Sequence, residues 1–218
     1  MAAKVKSMAT RVLSPGSHLL HLGCMKRDRI VVVNGHPDRD SFCFALHEAY
    51  KRGALASGAA VEDLVIRDLT FTPNLAFGYR KRTELEPDLL RAQELIRWAN
   101  HLVFIHPVWW GSVPALMKGF LDRVFLPGFF FKKRTGSTYR RDKLLTGRSA
   151  RIIYTLDTPR LLWWLAGRPS WSALKWVTLY YCGVAPIRGT ALGIMRLSSP
   201  ARRARWLSKV EALGARRG

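Results

Sequence analysis

Five short apolar runs, most of them followed by a stretch with helical spacing, restrict the fold of this chain more than any other feature. Ile30 to Val33 is an unbroken β-branched run ending in Asn34-Gly35, and Val61 to Leu69, Leu102 to Ile105, Ile152 to Leu156 and Ile187 to Ile194 read as further strands. A short run that is apolar throughout suits a strand covered on both faces, as parallel strands are. The segments between them are amphipathic. Ser41 is the expected N-cap of a helix whose Phe42, Ala45, Leu46, Ala49 and Tyr50 recur at helical spacing as far as Gly53. Leu89 to Trp98 is a second helix, and Ser112 is expected to cap a third with Pro114 in its first turn and a stripe of Leu116, Met117, Phe120, Leu121, Val124 and Phe125. Trp171 to Tyr181 and Arg202 to Leu213 complete the set. Parallel strands need long, right-handed crossovers, so this alternation predicts an α/β, three-layer, doubly wound sandwich on a five-stranded parallel sheet. Ligands of such sheets bind beyond the strand C-termini, where the strand order reverses.

The chain has 218 residues, 48% of them hydrophobic, enough for one self-supporting core and too apolar for a disordered protein. Cys24, Cys43 and Cys182 are scattered and form no C-x-x-C pair, so neither a disulfide framework nor a metal site is indicated, and a reducing, cytoplasmic setting is expected. Residues 1–27 hold five basic groups and one residue of hydroxyl type every few positions, with no acid. Residues 1–28 are therefore expected to be an extension, whether dispensable, a transit segment or an ordered arm, with the fold occupying residues 29–218.

Charge is uneven. The net charge is +21, and residues 111–218 carry 21 basic groups against 4 acidic ones, with no carboxylate between Asp157 and Glu211. Cofactor phosphates, a nucleic-acid backbone or an anionic membrane surface would each be attracted, and a solvated basic surface is the plainer reading. No nucleic-acid-binding motif accompanies the charge, so no nucleic acid is expected as partner.

Two strand ends carry chemistry. After the first run, Asn34-Gly35-His36-Pro37-Asp38-Arg39-Asp40-Ser41-Phe42 is neither a G-x-G-x-x-G nor a G-x-x-x-x-G-K-[ST] loop. It is a polar loop entering a helix start, a natural phosphate seat to which His36, Arg39 and Ser41 could add donors. After the third run, His106-Pro107-Val108-Trp109-Trp110-Gly111-Ser112-Val113-Pro114 places two tryptophans between prolines. They either pack in the core or form a stacking platform, and adjacent side chains leaving a strand end cannot easily share one core face, so at least one should face a crevice.

The longer segment H-P-V-W-W-G-S-V-P-A-L-M-K-G-F-L-D-R-V-F, beginning at His106, resembles the flavin-contacting signature of the NAD(P)H:quinone oxidoreductase family with flavodoxin-like fold. The N-G-H-P-x-x-x-S-F loop is similar to the first flavin loop of that family, and Asp68-Leu69 with Phe71-Thr72-Pro73, then Tyr181-Cys182-Gly183, follow in the family order. The resemblance covers about residues 29–213. It implies that His36, Ser41 and Phe42 contact the flavin phosphate or pyrophosphate, and that Pro107, Val108, Trp109, Trp110 and Gly111 lie along the isoalloxazine ring. Their backbone N-H groups would polarise the ring where hydride arrives at N5. Thr155, Leu156, Asp157 and Thr158 would form a third flavin loop, and Trp110, Thr155 and Asp157 are the residues assigned to catalysis, with no metal. The cofactor implied is FMN or FAD, with a lean to FMN; NAD(P)H is the co-substrate, a quinone or similar small acceptor takes the hydride by a ping-pong cycle, and the chain forms a homodimer.

Two departures from the family pattern stand out. Cys43 occupies a position where Asn is expected, and the third loop reads Thr-Leu-Asp-Thr-Pro in place of a glycine-rich turn followed by a Tyr and a His. Asp157 is accordingly expected to accept the flavin N3-H. Leu161, Leu162, Trp163, Trp164, Leu165, Trp171 and Trp176 crowd the region after this loop as core, as a substrate roof or dimer contact, or as a membrane-facing surface. The alternative to an enzyme is a flavodoxin-like accessory subunit or electron carrier docking on a membrane protein or anionic surface.

Overall fold

The computed structural model describes residues 27–78, 80–81, 83–136 and 140–216, so most of the 1–28 extension lies outside the described residues. Its frame is a parallel sheet of β1 (Arg29–Asn34), β2 (Ala60–Val65), β3 (His101–Pro107), β6 (Ser149–Thr155) and β7 (Ile187–Leu192) in the order β2-β1-β3-β6-β7. The expected five-stranded, doubly wound architecture is what forms. Between β3 and β6 the basic loop holds a small antiparallel pair, β4 (Phe131–Lys133) and β5 (Arg141–Lys143), which the charged sequence had hidden.

Successive residues of each strand face opposite layers. Val31, Val33, Leu102, Phe104, Ile152 and Tyr154 meet α2 (Pro87–Trp98) and α3 (Ala115–Val124), with Trp163, Trp171 and Leu174 beside them. Ile30, Val32, Val103, Ile105 and Ile153 meet α1 (Phe42–Ala56) and α7 (Pro200–Ala215) through Leu46, Ala49, Tyr50, Ala54 and Val210. Both faces of the central strands β1, β3 and β6 are thus dry, which explains why those runs read as apolar almost throughout, while the edge strands β2 and β7 expose Glu62, Asp63, Arg188 and Gly189.

Several boundaries differ from the sequence expectation. The second strand stops at Val65 and turns through a 3-10 segment, Ile66–Asp68, rather than running to Leu69. The seventh ends at Leu192 rather than running to Ile194, and at Gly193 an added Cβ would crowd Thr158 and Arg160. The helix expected over Trp171 to Tyr181 is assembled from α5 (Pro169–Ser172), a π-helical stretch Ala173–Leu179 and α6 (Tyr180–Cys182). Ser112 does not cap α3; Pro114 holds that position, and Ser112 closes a turn with Trp109 instead. Among the described residues no helix is long and apolar enough to cross a membrane.

The two helices on the second face approach through glycine. A Cβ on Gly53 of α1 would run into the Glu211 carbonyl of α7, and one on Gly214 would meet the Tyr50 carbonyl of α1. Backbone cannot yield as a flexible side chain does, so the helices must separate to admit a methyl group. Gly53→Ala is expected to destabilise the fold by about 2–3 kcal/mol. A thermal scan should show Tm lower by roughly 4–10 °C, whereas an unchanged Tm would mean that the helices do not touch there.

Candidate active site

The parallel register sets the strand tips side by side: Pro107 of β3 pairs with Thr155 of β6, which pairs with Leu192 of β7, while Asn34 of β1 lies opposite Ile105. Four loops leave this edge and enclose a notch of about 240 Å³.

The first loop holds itself in shape. Buried Asn34 accepts the His36 N-H on Oδ1 (3.0 Å) and donates from Nδ2 to the Cys43 carbonyl (3.4 Å). The Asp38 N-H donates to His36 Nδ1 (3.0 Å), which places the proton of the neutral ring on Nε2, and the ring edge meets Trp109 at 5.4 Å. Burial holds this imidazole below its ordinary value, partly offset by Asp38. At the start of α1, Ser41 has the extended backbone of an N-cap but its hydroxyl caps nothing. Ser41 Oγ is buried without a hydrogen-bond partner and lines the notch. A buried hydroxyl left unsatisfied costs about 1–3 kcal/mol, so an unpaired one on a residue that lines a cavity is a candidate donor to a ligand. Arg39, a further donor expected here, instead pairs with Asp68 and ties the loop to the end of β2.

The second loop is a tight turn. Trp109 and Ser112 exchange backbone hydrogen bonds at 3.0 and 2.9 Å, and the central residues Trp110 and Gly111 both have positive φ, 50° and 73°. A bulky residue at positive φ is strained by roughly 1–3 kcal/mol. The turn throws Trp110 wholly into solvent, with Trp109 44% exposed, so neither tryptophan fills the notch. The Val108 N-H donates to the Thr155 carbonyl and that of Trp109 to Ser112, which leaves the N-H groups of Trp110 and Gly111 as donors of this loop.

In the third loop Thr155 is buried with Oγ1 3.7 Å from Cys43 Sγ, and burial pushes that thiol up to about 12, so Cys43 is a neutral wall and not a nucleophile. Asp157 accepts the Arg196 backbone N-H on Oδ1 (2.7 Å), with Oδ2 3.6 Å from the guanidinium of the same residue. Its carboxylate thus fastens the loop after β7. That fourth loop, which the sequence reading passed over, contributes Met195, Arg196 and, from α7, Arg203 to the notch. Arg203 is steadied by Nε donating to Ser198 Oγ (2.9 Å). The signal was available: β7 ends at the same edge, and its loop lies in the acid-free, arginine-rich stretch.

Of the residues expected from sequence, His36, Ser41, Phe42, Pro107, Val108, Trp109, Thr155, Leu156 and Asp157 line this one notch, and Trp110, Gly111 and Thr158 lie outside its walls. Gly111 sits against Pro169, and Thr158 is exposed beside Gly193. A larger cavity lies elsewhere, a groove of about 870 Å³ between α3 and the π-helical stretch, walled by Leu121, Phe125, Phe131, Leu174 and Val177. It runs along the flank of α3, and Thr83 and Ser170 on its wall also carry buried hydroxyls without a partner, whereas the notch alone of the two joins the strand tips to the start of α1 and to Arg196 and Arg203. The notch is therefore the candidate site.

Comparison with known proteins agrees with this geometry. The profile of a family described as flavodoxin-like fold matches residues 28–213. The chain is similar to ribosyldihydronicotinamide dehydrogenase-like protein traD of Penicillium crustosum, 40% identical over 78 residues that cover 33% of this chain and 29% of that protein. It is also similar to NAD(P)H dehydrogenase (quinone) 1 of Cavia porcellus, 29% identical over 124 residues, 47% of this chain and 45% of that one. The matched segments thus span less than half the length of these two curated relatives. The crystal structure of Smu.1420 from Streptococcus mutans UA159 superposes with a TM-score of 0.74 at 27% identity, covering 86% of this chain and 98% of that one.

Beneath the second loop His106 is fully buried, stacked on Tyr154 at 6.0 Å, with Nδ1 donating to the Pro107 carbonyl (2.9 Å). Burial pushes its pKa down to about 4, and burial with Arg151 and Arg188 does the same to His101. Both values lie below the ordinary 6.5, so below that pH the unfolded chain binds protons that the folded one refuses. Stability is expected to be full above about pH 6.5, to fall as pH drops toward 4 and then to cease falling on this account. Denaturation midpoints across this range, with an NMR titration of the His106 ring, check it; a ring titrating at its ordinary value would refute the buried neutral imidazole.

Proposed function

The chain belongs to the flavodoxin-like fold family, matched over residues 28–213, and from that premise we propose that it is a flavin-dependent NAD(P)H oxidoreductase acting on a quinone or similar small acceptor. The observation that carries this reading is the unpartnered Ser41 hydroxyl at the mouth of α1. A helix start with free N-H groups, a spare hydroxyl and Arg203 belong to one notch and together would make an anion seat for a phosphate. Val108, Trp109 and Leu156 supply apolar surface for a flat ring, and the open tryptophans leave its slot clear. With one such seat, FMN fits better than FAD. The relatives' names, dehydrogenases of reduced nicotinamides and quinones, support the same class of reaction.

Bound flavin would supply the two-electron chemistry, accepting hydride from a reduced nicotinamide and handing it to the acceptor. The chain's own residues do the rest. Ser41, α1 and Arg203 would hold the phosphate end, and Asp157, by gripping Arg196, keeps the fourth loop against the notch. Acid-base groups take little part, since Cys43 stays a thiol and His36 is a neutral donor from Nε2 at pH 7. Rate would come from stacking and proximity, with one face serving two substrates in turn. The notch is smaller than the roughly 300–1,000 Å³ of typical enclosing clefts. We also propose that a second copy of the chain completes the enclosure, as in a two-fold dimer.

The purified protein should be yellow, release FMN on heating and bleach under NADPH without oxygen, and its double-reciprocal plots should be parallel. Ser41→Ala should raise the flavin dissociation constant roughly tenfold or more, the worth of a hydrogen bond to a charged group. Asp157→Ala should weaken flavin retention more than it slows the hydride step. A colourless protein that refuses added flavin would overturn the assignment.

A further inference from the structure

Toward the amino ends of the strands, away from the notch, the core holds a cation that the chain does not balance. Side chains of β6 alternate between the two layers, so Arg151, two residues before Ile153, faces α1 and α7. It is 6% exposed. Its Nη1 donates to Thr190 Oγ1 (2.8 Å), while its Nε is buried without an acceptor. The parallel register sets Arg188 of β7 beside it, and sets Ser149, two residues earlier, beside His101 of β3. From α1, the completely buried Tyr50 reaches the same layer, and its hydroxyl also lacks a partner. His101 Nδ1 shares a hydrogen bond with Ser149 Oγ (2.7 Å), which leaves its Nε2 unpaired. These side chains lie within one another's field. Burial raises the Tyr50 hydroxyl and Arg151 partly offsets it, and burial, then Arg151 and Arg188, hold His101 neutral.

No acid of the chain answers this charge. All 15 Asp and Glu side chains are among the described residues, and none forms an ion pair with Arg151 or Arg188. A guanidinium keeps its proton throughout the range in which proteins fold, so burial does not neutralise it. Left without a counter-charge, it is among the costliest groups a core can hold. Thr190 is neutral, and the Tyr50 phenol, pushed up to about 12, stays protonated, so neither supplies the missing charge. The unpaired Arg151 N-H and Tyr50 O-H are both donors. Water would satisfy those donors and leave the charge, whereas a small anion satisfies both. The rest of the layer is apolar, with Leu46, Val103, Ile153 and Val210, so a monovalent ion costs less to bring there than a phosphate. Arg188, exposed on the edge strand, adds positive charge on the solvent side.

We propose that Arg151, with the Tyr50 hydroxyl and Arg188, holds one small monovalent anion of the chloride class between the sheet and α1. The anion ties α1 to β6 and β7 as an internal ion pair would, and its loss loosens that layer. Its place and its chemistry are separate from the notch, so it does not depend on the oxidoreductase reading.

The test is thermal unfolding of the full chain at constant ionic strength, with sodium gluconate exchanged stepwise for sodium chloride or bromide. The parent Tm should rise along a saturating curve, as binding to the folded state alone requires. Tyr50→Phe removes one O-H and keeps the ring, and it should move half-saturation to roughly tenfold higher halide, the worth of one hydrogen bond to a charged group. Arg151→Met should lose the saturable rise altogether; if that variant does not fold, Tyr50→Phe and the crystal decide. Crystals of the parent grown in bromide should show an anomalous peak in contact with Arg151 Nε and the Tyr50 hydroxyl. Other sites on a chain of net charge +21 respond to salt in every form, so only the difference between parent and variants counts. Phosphate in place of halide should leave their curves parallel. A parent Tm that climbs without saturating, the same half-saturation in Tyr50→Phe, a difference between parent and variant that appears in phosphate and not in halide, or a bromide map without a peak at Arg151 would each overturn the proposal. The measurement needs no flavin, so a colourless protein with the saturable response would sink the oxidoreductase reading and leave the anion site intact, while a yellow protein without it would do the reverse.

Discussion

Everything at the candidate site depends on the hydrogen-bonded register of five parallel strands. Parallel pairing forces each crossover to start from one edge and return to the other, so every strand's carboxyl end and every helix start that follows it gather at a single rim. The order β2-β1-β3-β6-β7 means that the chain leaves β1 toward one side and β3 toward the other. The loops after these two strands therefore diverge, and a gap opens between them without any residue being dedicated to making it. Dry packing on both faces keeps that rim rigid: Ile30 to Val33 and Leu102 to Ile105 are completely buried, and shifting either strand by one position would exchange its residues between the two layers.

At the rim, polar groups are satisfied one another's way until one is left over. Asn34, His36, Asp38 and Asp40 close a self-contained set of hydrogen bonds, and Arg39 is held by Asp68. What survives this accounting is Ser41 Oγ, in the place where the dipole of α1 is positive. On the opposite wall Asp157 neutralises part of Arg196, so the anion seat is shared between the helix start and Arg203. The notch gains a selective positive end within a surface that is cationic almost everywhere.

Most of the architecture was legible in the chain because the central strands, buried on both faces, leave a plain signature. Each of the five runs became a strand of the parallel sheet, and the helices between them fell where the spacing placed them. Legibility failed where local preference and tertiary need part. Ser112 is a good cap by type, but the paired hydrogen bonds of the Trp109–Ser112 turn use its backbone, and Pro114 takes the cap. The sequence Arg141-Asp142-Lys143 reads as loop because its alternation is one of charges, yet it pairs with Phe131–Lys133. For the site, nine of the twelve residues expected to hold the cofactor gather in one notch, since strand-end loops converge by topology.

What the sequence determined by itself was therefore the layered fold and which strand ends would carry chemistry, because hydrophobic periodicity and helix-start chemistry are local and repeat along the chain. Only the tertiary structure decided where side chains point at the rim. It turned Trp110 outward through a positive φ, gave Arg39 to Asp68 and Asp157 to Arg196, and brought Arg203 from the last helix to a loop more than 150 residues earlier. Those outcomes follow from which partner lies within about 3 Å once the chain has folded, a distance that spacing along a sequence does not encode.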